Sequence, residues 1–384
     1  RVFELLASNT VVVSNFSRGV RMMFGDLVVS SDEAEEIYRR LEKVCDNEVV
    51  YRKFRLLGLR KVMVEHTYAA RLRYISEKLL GRVMTEPFPK VIVTARVSSQ
   101  TEFTSFLANL KRQSYKNLEA LVLAPGDVTS ENQGITVFSD EDTFVREFEA
   151  LQQDCYIAYF SSKDYYAENY LLDLVVAHRY SDALVFGKAS YYSENEGEVN
   201  VVHDGKQYIA VSELDARSSI IRRAALSKEE FLRAALSIDS YVFNIGDLLS
   251  VDEFNYCRNG MPQGSESISH LVDDLVLANQ GMSFEHDIFQ IASRMTSSPK
   301  LESVTTLPQI SAAELSQRIP KSSVPQVQWG MKRGAFHINS KLTADKFVYI
   351  YSRRIYTRAE MNMVLNSQFK LDCDATCQLK TVFE

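Results

Sequence analysis

The sequence predicts an α/β protein in three parts: a helical, partial α/β segment, a central domain with a mostly parallel Rossmann-like sheet, and a small β-rich module. Three observations point there. Between residues 90 and 160 apolar strand-like runs alternate with helix-period segments, a pattern that gives a parallel sheet covered by helices on both faces. Pro87 and Pro89 interrupt the helical pattern just before the first of these runs, and proline restricts its neighbours enough to mark a boundary. Beyond about residue 296 a stretch rich in Ser, Pro and Thr sets off the remainder. A length of 384 residues also exceeds what one hydrophobic core usually serves.

The first part, residues 1–82, opens with helical periodicity in RVFELLAS, followed by a strand in VVVSN and a second short strand in DLVVSS. Residues 32 to 80 read as charged amphipathic helices with almost no Gly or Pro. With no cleavage pattern after it, the opening reads as a domain cut in progress and not as a signal peptide.

The central part, residues 88–296, is read as strand 90–96, helix 101–113, strands 118–124 and 135–139, helix 142–153 and strand 155–160. After Asn169 the positions Tyr170, Leu171, Leu174, Val175 and His178 share one helical face, which makes His178 a core histidine. DALVFGKASYY then returns as one strand, and VNVVHDGKQYIAVS is expected to form a hairpin turning at Asp204 and Gly205. Further helices are expected to about residue 296. Residues 297–325 read as a linker broken by one helical run, AAELSQRI. Residues 326–384 alternate polar and aromatic residues in short strands, a β-module whose Trp329, Tyr349, Tyr351 and Tyr356 could stack on glycan or pack in its core.

Composition narrows the function. Hydrophobic content of 46% and charged content of 24% are those of a globular protein, and no run of eighteen apolar residues could span a bilayer. A net charge of -6 without basic blocks argues against nucleic acid as a partner. The five cysteines, Cys45, Cys155, Cys257, Cys373 and Cys377, are too few and scattered for a disulfide framework and fit the reducing cytoplasm. Cys373 and Cys377 lack the nearby histidines of a zinc site. No GxxxxGK[ST] loop, GxSxG elbow or HExxH helix occurs, which removes the usual anchors of ATPase, hydrolase and zinc-protease chemistry.

Ligands of parallel sheets bind outside the carboxyl ends of the strands. Those ends carry Thr94, Ala95 and Arg96, then Pro125, Gly126 and Asp127, then Ser161 to Asp164.

These residues carry a family resemblance. KVIVTARVSSQTEFTSFLANLKRQSYKNLEALVLAPGD and KDYYAENYLLDLVVAHRYSDALVFGKASYY together resemble the nucleotide-binding half of family 2 glycosyltransferases with the GT-A fold, over about residues 90–259. RVFELLASNTVVVS is similar to a segment in the second domain of CgeB-like GT-B glycosyltransferases, where the residue matching Glu4 commonly binds the donor's ribose or sugar. The first half of such a domain does not precede it, so residues 1–82 are expected to be a remnant or docking layer, with Glu4 a helix-start carboxylate.

The resemblance implies a UDP- or GDP-sugar donor, with Thr94 and Arg96 at the base and phosphate and Asp127 at the base or ribose. It also implies Tyr165 and Tyr166 near the sugar, although filling the sheet edge is the simpler role for one of them. Sugar transfer builds negative charge on the leaving diphosphate, which a cation or aimed donors must stabilise. The usual solution is an Asp-x-Asp cluster holding Mn2+ or Mg2+ through oxygen ligands. Here the four matching positions are Ser161, Ser162, Lys163 and Asp164, so one carboxylate remains, and Asp164 alone is a poor site for a hard cation. Either Lys163 neutralises diphosphate in place of a metal, or the site has lost catalysis.

For the base, the family places acceptor-side residues after the hairpin, at SELDARSSIIRR. Glu213 and Asp215 would share one face of an extended segment and either could reach an acceptor hydroxyl. Arg217, Arg222 and Arg223 add positive charge, with surface salt bridges the simpler role for the last two. The expectation is an inverting glycosyltransferase that moves a sugar from a nucleotide donor to a cell-surface or capsular glycan, working in the cytoplasm at the inner face of the membrane. The alternative is a catalytically inactive glycan-binding or scaffolding module of a multidomain polysaccharide-synthesis protein.

Overall fold

The computed structural model describes residues 1–80, 88–130, 132–261 and 265–283, together with four strands between residues 327 and 381. The chain divides into two compact units, Arg1–Thr296 and Ser297–Glu384.

The first unit begins with α1 (Val2–Ala7), β1 (Val12–Ser14), α2 (Arg18–Phe24), β2 (Val28–Ser30), α3 (Ala34–Cys45), α4 (Glu48–Glu65) and α5 (Tyr68–Leu80). β1 and β2 pair in parallel. Asn47 caps α4 by accepting the Val50 N–H, and apolar residues from α1, β1, α2, β2 and α4 form a small core around Leu6, Phe24, Val28 and Leu57. His66 sits at the end of α4 with its ring edge-on to Phe3 and Phe24.

Charged side chains tie these helices to the rest of the unit. Arg60 of α4 reaches Asp173 (Nε–Oδ1 2.6 Å) and Asp274 (Nη1–Oδ2 2.7 Å), with Asn255 bridging both carboxylates. Burial pushes the Asp173 carboxyl above its ordinary range while Arg60 pulls it back. Nearer the start of α4, Arg52 pairs with Glu253 and Asp204.

The central sheet contains β3 (Val91–Arg96), β4 (Leu118–Leu123), β5 (Ile135–Phe138) and β6 (Tyr156–Tyr159), with α6 (Gln100–Arg112) and α7 (Glu141–Ala150) between them. Local chemistry fixes these helices: Ser99 accepts the Glu102 N–H at the start of α6, and Asp140 accepts the Thr143 N–H at the start of α7. After β6 come β7 (Tyr165–Tyr166), α8 (Tyr170–Val176), β8 (Val185–Gly187), β9 (Tyr191–Asn195), β10 (Glu198–Val202), β11 (Ile209–Val211), β12 (Leu214–Asp215) and β13 (Ser219–Arg222). The described part of the unit closes with α9 (Lys228–Leu236), β14 (Val242–Phe243), β15 (Leu248–Ser250), β16 (Tyr256–Arg258) and α10 (Ser265–Val272). Ser227 and Glu230 form a reciprocal capping box on α9.

The large sheet runs β11-β15-β8-β13-β6-β3-β4-β5. Its β6-β3-β4-β5 half and the β15–β8 pair are parallel; β13 is antiparallel to both its neighbours and β11 to β15. Alternation along β3 sends Val91, Val93 and Ala95 into one core with Phe106 and Leu174, and Ile92 into the other with Phe144, Phe148 and Phe231. The fold class is therefore the one expected, a mixed α/β architecture around a large, mostly parallel sheet.

Three local expectations are corrected. DALVFGKASYY is two strands, because β8 ends at Gly187 and Lys188 turns inward to pair with Asp252 (2.8 Å) before β9 joins a second sheet, β10-β9-β16-β7. The hairpin turns at Glu196 and Gly197, both at positive φ, and pairs β9 with β10. Asp204 instead holds a separate turn by accepting from the Gly205 N–H and from Gln207, and β11 leaves to pair with β15. Thirdly, the stretch expected to be helical to residue 296 also contains β14, β15 and β16.

In the second unit β17 (Val327–Lys332), β18 (Ala335–Ser340), β19 (Phe347–Tyr351) and β20 (Leu379–Thr381) form one sheet in the order β19-β18-β17-β20. Trp329 lies on β17, and Tyr349 and Tyr351 lie on β19. The expected linker, Tyr356, Cys373 and Cys377 lie outside the described residues.

Candidate functional site

The carboxyl ends of β3 and β6 open into a cavity of about 350 Å3. Arg96, Ser98, Glu102, Ser162 and Lys163 line one side, and residues 235–240, at the end of α9 and just beyond it, line the other. Larger hollows exist, such as one of about 790 Å3 around Lys90, Tyr156 and Arg222. That hollow sits at the opposite strand ends, where parallel sheets do not usually hold ligands.

Lys163 projects into solvent beside the cavity and its Nζ lies 2.6 Å from Oδ2 of Asp239. Arg96 is exposed at the end of β3 and donates to the Leu236 carbonyl (3.3 Å). Glu102 accepts from the N–H (2.7 Å) and hydroxyl (2.9 Å) of Ser98, which fixes the loop between β3 and α6. Burial pushes Asp239 up, but the Lys163 hydrogen bond and the Arg217 and Lys163 charges outweigh it, leaving its carboxyl below the ordinary range.

Asp164 behaves differently from its neighbour. It is fully buried, and Arg217 grips it bidentately, with Nε 2.6 Å from Oδ2 and Nη2 on Oδ1. The Tyr256 hydroxyl donates to Oδ2 (2.8 Å) and the Asn259 N–H to Oδ1 (2.8 Å). Burial opposes the Arg217 charge, yet the hydrogen bond to Asp164 leads the effects that raise its pKa well above the ordinary value.

This geometry tests the expected metal. A Mg2+ or Mn2+ ion needs several free oxygen ligands. Both oxygens of Asp164 are already taken by internal donors, and the described residues contain no group of three or more His, Cys, Asp or Glu side chains able to hold a metal. The residues present do not fit a divalent cation, and Asp164 is corrected from a metal ligand to a buried anchor for Arg217.

The other expected residues fall into distinct places. Thr94 is fully buried and donates to the Ala158 carbonyl (3.0 Å), so its side chain serves the sheet and not a donor. Asp127 is exposed in the turn after β4 and does not line the cavity. Tyr166 is stacked on Phe160 with centroids 3.9 Å apart, and Tyr165 donates to Asp273. Neither ring is available to a sugar, since both are buried. Glu213 is exposed, whereas Asp215 is half-buried and accepts from Arg258 (3.1 Å). His178 is half-buried with Nδ1 2.6 Å from the Val175 carbonyl oxygen. Arg223 is buried over the Phe148 ring rather than in a surface salt bridge, and Arg222 lies over Tyr156.

Sequence reasoning missed Asp239, Tyr256, Arg258 and Asn259. Arg258 also reaches Tyr191 and the Asp239 carbonyl, which ties β16 to the cavity wall. Only the strand-end position of Lys163 and Asp164 was available as a signal, because the partners that define their side chains lie 53 to 95 residues further along the chain.

No family model matches the sequence, and no curated protein matches it. Among solved structures, the chain is similar to residues 1–349 of TarS from S. aureus, with a TM-score of 0.32 and 15% identity over 59% of this chain and 79% of that one. It is also similar to a 4-diphosphocytidyl-2C-methyl-D-erythritol synthase, with a TM-score of 0.24 and 10% identity over 54% of this chain and 98% of that one.

Proposed function

We propose that this chain is a glycosyltransferase-type domain whose strand-end cavity takes a UDP- or GDP-sugar through side-chain cations, without a divalent metal, and passes the sugar to a glycan hydroxyl. The observation that carries this reading is the pairing of roles at adjacent positions: Lys163 stands exposed at the cavity while Asp164 is sealed beneath it by Arg217. A parallel-sheet edge with cations at the carboxyl ends of its strands is where a phosphorylated ligand binds. Parallel β1 and β2, packed among helices, support a GT-B-like reading of the segment that precedes the central sheet.

In the catalytic form of this reading, the acceptor oxygen forms a bond to the anomeric carbon as the bond from that carbon to the diphosphate oxygen breaks. The leaving nucleoside diphosphate keeps the electron pair, and Lys163 and Arg96 offset its growing charge. The acceptor proton passes to Asp215, which Arg258 holds in place. Inversion follows from this single displacement. The described residues contain no helix long and apolar enough to cross a membrane, and nucleotide-sugar use fits work in the cytoplasm, at the inner face of the membrane for a surface glycan.

A second reading is favoured by one feature: Asp164 and Asp215 are both engaged by arginines, as they would be in a binding or scaffolding module. Calorimetry with UDP and GDP, in EDTA and then in Mn2+, separates these readings together with a hydrolysis assay on the sugar nucleotides. Metal-independent binding lost in Lys163→Ala, with slow sugar release, is the expected result. Binding without turnover on long incubation selects the non-catalytic module, and absence of nucleotide binding overturns both forms of the donor site.

A further inference from the structure

The cations at the cavity already hold an anion that belongs to the protein. Asp239 lies in the segment between α9 and β14, and its carboxylate is met from three directions. Lys163 Nζ is 2.6 Å from Oδ2, Arg217 Nη1 is 3.3 Å from Oδ1, and Ser161 Oγ is 3.4 Å from Oδ1. The Arg258 guanidinium donates to the Asp239 carbonyl (3.3 Å), so the main chain is tethered while, among the described residues, the side chain is held by the groups just named. A carboxylate in that position presents two oxygens to a lysine, an arginine and a hydroxyl, the donor set that recognises phosphate oxygens.

We propose that the Asp239 carboxylate occupies the seat of the ligand's diphosphate, and that the ligand binds by displacing it. The inference rests on the nucleotide-sugar reading for the identity of the ligand, but the seat itself is defined by the donors. Three features make displacement feasible. The pair is open to water, with 47% of the Asp239 side chain and 59% of the Lys163 side chain exposed, and such exposed pairs contribute little to stability. Arg217 does not depend on Asp239 for neutralisation, because Asp164 holds it from the buried side. A diphosphate brings more negative charge than one carboxylate to the same donors. Asp239 thereby sets a threshold: weak single-charge anions fail to compete, and a diphosphate succeeds.

The test is calorimetry in EDTA with inorganic pyrophosphate, UDP and GDP, on the wild-type chain and on Asp239→Asn, Asp239→Ser, Lys163→Ala and Glu102→Gln. Vacating the seat is expected to tighten pyrophosphate binding about tenfold in Asp239→Asn and in Asp239→Ser. Adding Lys163→Ala to either is expected to abolish the gain. Glu102→Gln removes one negative charge from the same cavity without freeing Lys163, and its gain is expected to stay within about twofold. Equal gains in Glu102→Gln and Asp239→Asn would reduce the effect to bulk charge and overturn the proposal. Unchanged or weaker pyrophosphate binding in both Asp239 variants, or no binding to any protein, would also overturn it. The two readings fail separately: a tenfold gain for pyrophosphate with no added affinity for UDP or GDP keeps the seat and removes the nucleotide, whereas UDP or GDP binding that is equal in wild type and Asp239→Asn keeps the nucleotide and removes the seat.

Discussion

Arg217 and Asp164 form a bidentate ion pair beneath the strand-end cavity, with 4% and 0% of their side chains exposed. A carboxylate that stands where a metal ligand is expected is thereby neutralised from within. Removing one partner of such a pair leaves a buried charge uncompensated, which typically costs about 3–5 kcal/mol. Arg217→Met is therefore expected to lower unfolding stability by that amount in urea titration. Joining it to Asp164→Leu should recover a large part of the loss, and a double variant as unstable as Arg217→Met would show that the pair is not the cause.

On the proposed acceptor side, two carboxylates two positions apart in the sequence differ. Asp215 is fixed by Arg258, while Glu213 points to solvent. In a sugar-transfer assay Asp215→Asn is expected to lower kcat at least about 100-fold with donor affinity unchanged, since a positioned base contributes about 100-fold or more. Glu213→Gln should stay within about threefold. The reverse pattern would assign the base to Glu213.

Acid should loosen the first unit through His66. Burial, followed by the charges of Lys61 and Arg71, lowers its pKa from 6.5 to about 4. A histidine held neutral in the fold takes up a proton more readily once unfolded, so its contribution is fully present above pH 6.5 and is lost as pH falls toward 4. Chemical denaturation across that window is expected to show the decline. His66→Phe, which keeps a ring against Phe3 and Phe24, should flatten it, and an unchanged slope would acquit His66.

Gly187 ends β8 where the chain crosses to the second sheet. A Cβ there would lie 2.6 Å from Cβ of Ser219 and 3.1 Å from the Ser218 carbonyl oxygen. Gly187→Ala is expected to cost about 1–3 kcal/mol by overpacking, read as a lowered Tm. An unaltered Tm would mean that β13 yields at this contact.

The legible part of this protein was its local grammar. Strands such as β3 and β6 announced themselves through continuous apolar runs, and α6 and α7 through the helix-period segments between them. The strand-end position of Lys163 and Asp164 was equally visible, because it depends only on where β6 stops. What each of the two does was hidden, since Asp164 is defined by Arg217, Tyr256 and Asn259 and Lys163 by Asp239. Those partners arrive through tertiary pairing, which periodicity does not encode. The same reason explains the misplaced hairpin: Asp204 and Gly205 have turn chemistry and do form a turn, but strand partnership was decided by β15.

The Arg60 guanidinium, clasped between Asp173 and Asp274, separates two meanings of the word domain. The prolines at 87 and 89 suggest a boundary in the sequence, yet Arg1–Thr296 is one compact unit. Thermodynamically the two sides are joined: without α4, two inward-facing carboxylates would lose their counter-charge. The cation of α4 acts as a structural cofactor of the sheet that comes after it.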